Sequence, residues 1–340
     1  MNKKRRIIAP ALTGLLFLGG FAGAAGATPA EEAVTSFGNL SAGNHKLSIR
    51  VDGWIRRYVI HVPQGDQRNK SLPVVIMFHG GGGTAKEAMW ETGWAEKAES
   101  EGFLAVFPEG TAPDPNRPAR FRDNPQTWND GSRRLNIGAV QREVADVPFV
   151  CRMIAELRAT FNVDERRIYA TGFSNGAGMA FRLARERSTV LAAVAPVAGS
   201  DWMENRRPRR PVPLLYITGT ADPLNPIEGG EIHIGRNSFG SKPVIREMIA
   251  KWAEINGCPT EPRVIYDKDG ARGVAYGCAS ETAVVFYLLN GHGHHWPGGR
   301  SHLPERWAGK NATKLRATDV IWEFFKRNAL PANDGAGVQR

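Results

Sequence analysis

Apolar positions in this chain fall into short unbroken runs, separated by segments whose apolar residues recur at helical spacing. Residues 72–78 (Leu-Pro-Val-Val-Ile-Met-Phe) and 102–108 (Gly-Phe-Leu-Ala-Val-Phe-Pro) carry no polar break, the pattern of strands buried on both faces. A helical segment, residues 85–101, lies between them. Two strand-like runs come earlier, at 46–51 and 55–62, joined by the hairpin signal Asp52-Gly53. Beyond residue 140 the alternation resumes with a helix over 147–160, a strand over 167–171, a helix over 176–187, and strands over 191–197 and 212–218. A helix over 243–256, a strand over 283–289 and a helix over 317–328 close the chain, the last with Val320, Ile321, Phe324 and Phe325 on one face. Strand, helix, strand in this order predicts an α/β fold around a mostly parallel sheet with right-handed crossovers. Residues 110–140 stand apart, polar and rich in Pro, Asn, Asp and Arg, with Trp128-Asn129-Asp130-Gly131 in the middle. A loop of that length is functional or disordered, and a tryptophan within it favours order.

The first residues do not fit this pattern. Lys3, Lys4, Arg5 and Arg6 precede an apolar run over 7–21, and Ala25-Gly26-Ala27 supplies the small residues of a cleavage site, so residues 1–27 read as a signal peptide cut after Ala27. A membrane anchor is the competing reading, but Pro10, Thr13 and paired glycines interrupt the run well short of the ~20 apolar residues a span needs. A connector over 28–44, one catalytic domain over 45–330 and a frayed tail over 331–340 complete the division, with no repeat or linker inside the domain.

Export changes the charge argument. Losing four basic residues leaves 40 against 34 acidic ones, a net charge of +6 in place of +10. That is mildly basic and does not point to nucleic acid, whose binders concentrate charge on one face. The nearest cluster, Arg206, Arg207, Arg209 and Arg210 around Pro208, reads as a solvated loop before a strand; a site for anionic substrates is the alternative. Cys258 and Cys278, each beside a glycine in a turn-rich stretch, are expected to pair once the protein meets oxidising conditions. Cys151 has the apolar neighbours of a helix and is expected to be a free core thiol.

The chemistry begins at residues 167–181. A β-prone run, then Gly172-Phe173-Ser174-Asn175-Gly176, then an apolar helical run, is what a nucleophile elbow requires, because side chains at either glycine would collide where the chain doubles back. Gly-x-Ser-x-Gly alone is a weak pattern, so the partners matter. A serine hydroxyl needs a base to take its proton and an acid to orient that base. In chain order both should follow the serine, at the ends of later strands. The strand ending at Thr218 runs into Gly219-Thr220-Ala221-Asp222-Pro223, making Asp222 the candidate acid; a simple Asp-Pro turn is the alternative, and Asp201 the second choice. The strand ending at Leu289 runs into Asn290-Gly291-His292-Gly293-His294-His295-Trp296-Pro297-Gly298. Three histidines so close invite a metal reading, but the remaining histidines are scattered and no ligand set has the right spacing. A general base is expected from this loop, and the residues themselves do not choose among the three. His79-Gly80-Gly81-Gly82, directly after a strand, has the glycines of an oxyanion loop, and the residue after the nucleophile, Asn175, supplies a second donor.

Together these residues resemble the secreted α/β-hydrolases that include polyhydroxybutyrate depolymerases, feruloyl esterases and acetylxylan esterases, akin to carbohydrate esterase family 1. The resemblance covers residues 45–328. It is carried by His79-Gly80, Trp128-Asn129-Asp130-Gly131, Gly172-Phe173-Ser174-Asn175-Gly176, Gly219-Thr220-Ala221-Asp222 with Pro226 beyond, and His294-x-Trp296-Pro297-Gly298. It implies that His294 is the base, Asp222 the acid and Gly81 the first oxyanion donor, and that Cys258 and Cys278 form a disulfide. His292 and His295 depart from the usual pattern, where a glycine and a small hydroxyl residue are common. The implied activity is secreted serine ester hydrolysis through an acyl-enzyme, with no metal or cofactor, no nucleic acid and no stable membrane anchor. The substrate is a polyester or oligoester, or alternatively a feruloylated or acetylated polysaccharide. A polyamide hydrolase using the arginine cluster and a catalytically silent binding fold are more distant readings. Trp128 and Trp296 are candidates for lining the acyl or alcohol pocket, a core role being the alternative.

Overall fold

The structure is a computed structural model that describes residues 40–332, apart from 66–69, 135, 204, 235–236, 260 and 279–282, and apart from the side chains of 234–239. The leader (1–27), most of the connector and the end of the tail lie outside the described residues.

The chain opens with the hairpin β1 (Gly43–Val51) and β2 (Trp54–Val62), then β3 (Leu72–Phe78). Asp52 and Gly53 both have positive φ, as the two-residue turn demands. The expected helix over 85–101 is two helices, α1 (Ala85–Thr92) and α2 (Trp94–Glu101), broken at the left-handed Gly93. After β4 (Leu104–Pro108) the long loop is ordered, with α3 (Gly138–Gln141) near its end. Then come α4 (Asp146–Thr160), β5 (Val163–Phe173), α5 (Asn175–Glu186), β6 (Ala193–Val197) and β7 (Leu214–Gly219). The hairpin β8 (Gly230–Ile234) and β9 (Asn237–Lys242) precedes α6 (Ile245–Ile255). The chain finishes with β10 (Arg263–Lys268), β11 (Ala271–Tyr276), β12 (Val284–Leu289), α7 (Glu305–Ala308) and α8 (Ala317–Lys326).

Among the described residues one sheet has ten strands in the order β1-β2-β4-β3-β5-β6-β7-β12-β11-β10. The six central strands, β4 to β12, run parallel, and antiparallel pairs extend both edges. β3, β4, β6 and β7 are buried along their whole length, β12 nearly so and β5 over its last six residues, because helices cover both faces and leave two apolar layers. Phe149, Met153, Phe181 and Trp252 pack in one layer. Trp94, Phe103, Trp322 and Phe325 pack in the other. Parallel strands bring their carboxyl ends to one edge, where ligands of open α/β sheets bind. The loops after β3, β5, β6, β7 and β12 gather there.

Cys258, just past α6, is bonded to Cys278, just past β11. Cys151 is a free thiol on α4, half-buried against the core, with Arg187 Nε donating to its sulfur. Among the described residues no helix is long and apolar enough to cross a membrane.

Candidate active site

Ser174 stands between β5 and α5 in a rare backbone conformation, φ 55° and ψ −116°. Three glycines make this possible by close approach. A Cβ on Gly172 would meet Gly176 O at 2.3 Å, one on Gly176 would meet Phe78 O at 2.3 Å, and one on Gly199, after β6, would meet Ser174 O at 2.2 Å. The Ser174 N–H donates to Val197 O at 2.9 Å, and the Ser174 carbonyl accepts from Ala177 and Gly178 to start α5.

The loops after β7 and β12 bring Asp222 and His294 to this turn. His294 Nδ1 lies 2.8 Å from Asp222 Oδ2, and His294 Nε2 lies 2.9 Å from Ser174 Oγ. A carboxylate can only accept, so Nδ1 carries the proton and Nε2 is left to accept from the serine hydroxyl. Asp222 Oδ1 accepts from the N–H groups of Leu224 and Asn225, at 2.8 and 2.9 Å. The Asp-Pro turn and the contact with histidine therefore coexist, one on each carboxylate oxygen. The backbone N–H of His294 donates to Ala308 O, and the Phe173 ring packs against the imidazole, 4.7 Å away between centres. Asp201, the second choice for the acid, is instead buried in an ion pair with Arg185 and accepts from Trp252 Nε1 at 2.8 Å.

The neighbouring histidines face elsewhere. His292 Nδ1 accepts from Ala312 N–H, so its Nε2 donates to His295 O at 3.1 Å, and burial lowers the pKa of this ring. His295 bridges Ser301 Oγ and Gly309 O, both at 2.8 Å. Both rings brace the loop that carries His294.

The glycine loop after β3 is held by His79. Gly110 N–H donates to His79 Nε2 at 2.9 Å, so Nδ1 carries the proton and donates to Gly80 O at 2.7 Å. Burial pushes this imidazole down to about 4, keeping it neutral. Gly83 N–H also donates to Gly80 O, at 3.0 Å. In a trans peptide the N–H points opposite to the carbonyl, so the Gly81 N–H faces away from these bonds. The loop lies against the elbow: a Cβ on Gly80 would come 3.6 Å from Ser174 Cβ, and one on Gly81 would come 3.7 Å from Asn175 Cβ.

The Trp128-Asn129-Asp130 segment of the long loop fastens the first residue of α5. Asn175 Oδ1 accepts from Trp128 N–H at 2.7 Å, and Asn175 Nδ2 donates to Trp128 O at 3.1 Å and Asp130 Oδ2 at 2.9 Å. The Trp128 indole donates to His79 O at 3.0 Å and is fully buried. Trp296, 2 % exposed, donates to Thr318 Oγ1 at 3.0 Å. Placing Trp128 and Trp296 on a pocket wall is therefore corrected: both are core residues whose indole N–H groups need internal partners. The exposed aromatics near the site are Phe121, whose ring would meet a Cβ on Gly82 at 2.6 Å, and Trp307, next to the Ala308 carbonyl that holds His294. Sequence reasoning missed both, although Phe121 lies in the loop singled out as functional.

Residues 206–211 precede β7 at the amino end of the sheet, opposite Ser174, Asp222 and His294. Arg210 is spent on the carbonyls of Ser188, Leu191 and Pro211, and Arg206 and Arg207 lie 3.7 Å from Glu186 and Glu254. Arg206 and Arg207 are exposed, as expected of a solvated loop, and the segment lies at the opposite end of the strands from Ser174.

The dienelactone hydrolase family matches residues 60–233, half of the chain, a span that includes Ser174 and Asp222. The chain belongs to this family. Feruloyl esterase B of Piromyces equi is similar at 30 % identity over 81 % of this chain and 46 % of its own length. Poly(3-hydroxyalkanoate) depolymerase C of Paucimonas lemoignei is similar at 28 % identity over 42 % of this chain and 31 % of its own length. The chain thus spans less than half of either relative. The solved acetyl xylan esterase from Aspergillus awamori superposes with a TM-score of 0.52 at 14 % identity, over 86 % of this chain and 98 % of that one, which shows a shared fold. This member of the dienelactone hydrolase family is an α/β-hydrolase-fold esterase.

Proposed function

We propose that the protein hydrolyses carboxylic esters through an acyl-enzyme on Ser174. The observation that carries this is the unbroken chain of contacts from Ser174 Oγ to His294 Nε2 at 2.9 Å and from His294 Nδ1 to Asp222 Oδ2 at 2.8 Å. As Ser174 Oγ attacks the ester carbonyl, its proton passes to His294 Nε2, and Asp222 stabilises the imidazolium. The carbonyl oxygen becomes an oxyanion that accepts from the Gly81 and Asn175 N–H groups. Collapse expels the alcohol, which takes the proton from His294. Water, deprotonated by the same imidazole, then releases the acid and restores the serine. The chemistry needs no metal or cofactor.

The substrate is an oligoester or polyester of hydroxyacids, as the likeness to the poly(3-hydroxyalkanoate) depolymerase suggests. A second reading, esters of plant cell-wall polysaccharide, is favoured by the feruloyl esterase similarity and by the exposed rings of Phe121 and Trp307 near the site. Export fits either substrate and accords with the leader and the disulfide. Hydrolysis of p-nitrophenyl butyrate by wild type and Ser174→Ala tests the mechanism: the account expects a loss of about 10⁴-fold or more in kcat, and undiminished turnover would sink it. Polyhydroxybutyrate films, methyl ferulate and acetylated xylan assayed side by side decide the substrate.

A further inference from the structure

Among the described residues, one cation near this site is paired with no carboxylate. Lys242 ends β9, and its Nζ lies 5.1 Å from the centre of the Trp202 ring. The Arg134 guanidinium lies 4.1 Å from the same ring. Arg134 comes from the long loop, Trp202 from the loop after β6 and Lys242 from the β8–β9 hairpin, so three of the loops at the catalytic edge of the sheet converge here. The hairpin leans on the long loop, since a Cβ on Gly240 would come 3.4 Å from Arg134 Cδ.

The two cations are not equivalent. Arg134 is compensated, with Nη2 2.5 Å from Asp130 Oδ2 and Nε donating to Ser132 Oγ at 3.1 Å. For Lys242 Nζ, among the described residues, no carboxylate lies within 4.0 Å and no hydrogen bond is made. Burial, then Arg134, push this ammonium down to about 7 against the opposing pull of Asp130 and Asp222. Those two carboxylates flank the nucleophile: Asp130 holds Asn175, and Asp222 holds His294. Arg134, on the same Trp202 ring as Lys242, pairs with the Asp130 carboxylate that holds Asn175, which connects this group to the residue after Ser174. An unpaired, partly buried ammonium is costly, and an anion seated against it would relieve that cost.

We propose that Lys242 and the face of Trp202 form a carboxylate subsite next to the triad, selecting esters that carry a free carboxylate, in particular linear hydroxyacid oligomers with an acid terminus. This rests on Ser174 being the nucleophile. The charge balance selects a monoanion. Asp130 is paired with Arg134, and Lys242 offers a single positive charge, so a monoanion matches it whereas a phosphate dianion would add a further negative charge near Asp130 and Asp222.

The test compares kcat/KM for the dimer and trimer of 3-hydroxybutyrate with that for the same oligomers capped as terminal primary amides, using the full chain. Wild type should prefer the acids by about tenfold or more, the size of one charge-assisted hydrogen bond. Lys242→Met should erase that ratio through KM, and Lys242→Arg should keep it. A wild-type ratio near one, no turnover of the acids, or a ratio that survives in Lys242→Met overturns the subsite. If Lys242→Met does not fold, the wild-type ratio and competition by 3-hydroxybutyrate against its amide decide alone: stronger inhibition by the acid supports the subsite and equal inhibition overturns it. The two readings fail separately. Hydrolysis of neutral p-nitrophenyl butyrate that persists in Ser174→Ala refutes the serine, whereas Ser174-dependent hydrolysis with a ratio near one refutes the carboxylate subsite alone.

Discussion

His79 is buried with both ring nitrogens engaged, accepting from Gly110 and donating to Gly80. It touches no reacting atom, yet it fixes the peptide that presents the Gly81 N–H. His79→Gln should lower kcat on p-nitrophenyl butyrate by about tenfold or more, because the donor is still present but no longer aimed. The same ring has a pH signature. Between about pH 6.5 and 4 the unfolded chain takes up a proton that the folded ring refuses, so its contribution is complete above about 6.5 and is lost as pH falls towards 4. Glu91 acts with the opposite sign: burial, then Glu87, raise it to about 7, so its contribution is present below its ordinary value and fades as pH rises through 7. Denaturant titrations of wild type and His79→Gln should therefore be compared as a difference. The advantage of wild type should shrink by about 3 kcal/mol from pH 6.5 to 4, and a constant difference would contradict the neutral ring. The glycines and the catalytic serine, acid and histidine candidates were legible because turns and strand ends have strict residue requirements. The role of His79 was not, because it depends on an N–H 31 residues away.

The elbow and the three loops facing it were legible as elements for a related reason: an unbroken apolar run followed at once by glycine or a polar turn marks a strand end at the catalytic edge. Packing set the details. The single helix expected over 85–101 breaks at Gly93, and the hairpins β8–β9 and β10–β11 were not expected from the pattern. Asp269-Gly270 in the second of these carries the same signal as Asp52-Gly53, with positive φ at both residues, but its strand β10 is exposed and lacks an apolar pattern. Gly199 is the point where the β6 loop touches the elbow. Gly199→Ala forces a Cβ to within 2.2 Å of Ser174 O and 2.7 Å of Ala177 Cβ. It should cost about 3 kcal/mol or more of stability and most of the activity, seen as a lowered denaturation midpoint and reduced turnover in the same preparation. Full activity would mean that the elbow tolerates a shift that its contacts forbid.

The parallel α/β class of the whole molecule follows from element order, whereas the strand order does not. β4 lies between β2 and β3, and β12 pairs with β7, through crossovers that no local pattern encodes. The disulfide closes the connection from α6 through β10 and β11, the outermost part of the sheet on that side. Cys258 and Cys278 are separated by 20 residues, and opening a loop of that size should cost about 3 kcal/mol. Thermal melts with and without reductant should differ by about 6 °C or more; identical melts would show that the sheet edge does not depend on the bond.

The central claim is that Ser174 is the nucleophile of an ester hydrolase. It is tested most directly by treating the protein with a fluorophosphonate and locating the adduct by peptide mass spectrometry. The account predicts one adduct per chain, on Ser174, with loss of p-nitrophenyl butyrate hydrolysis in proportion to labelling and no adduct in His294→Ala. Full hydrolysis with Ser174 unlabelled, or with the adduct on another residue, would contradict it.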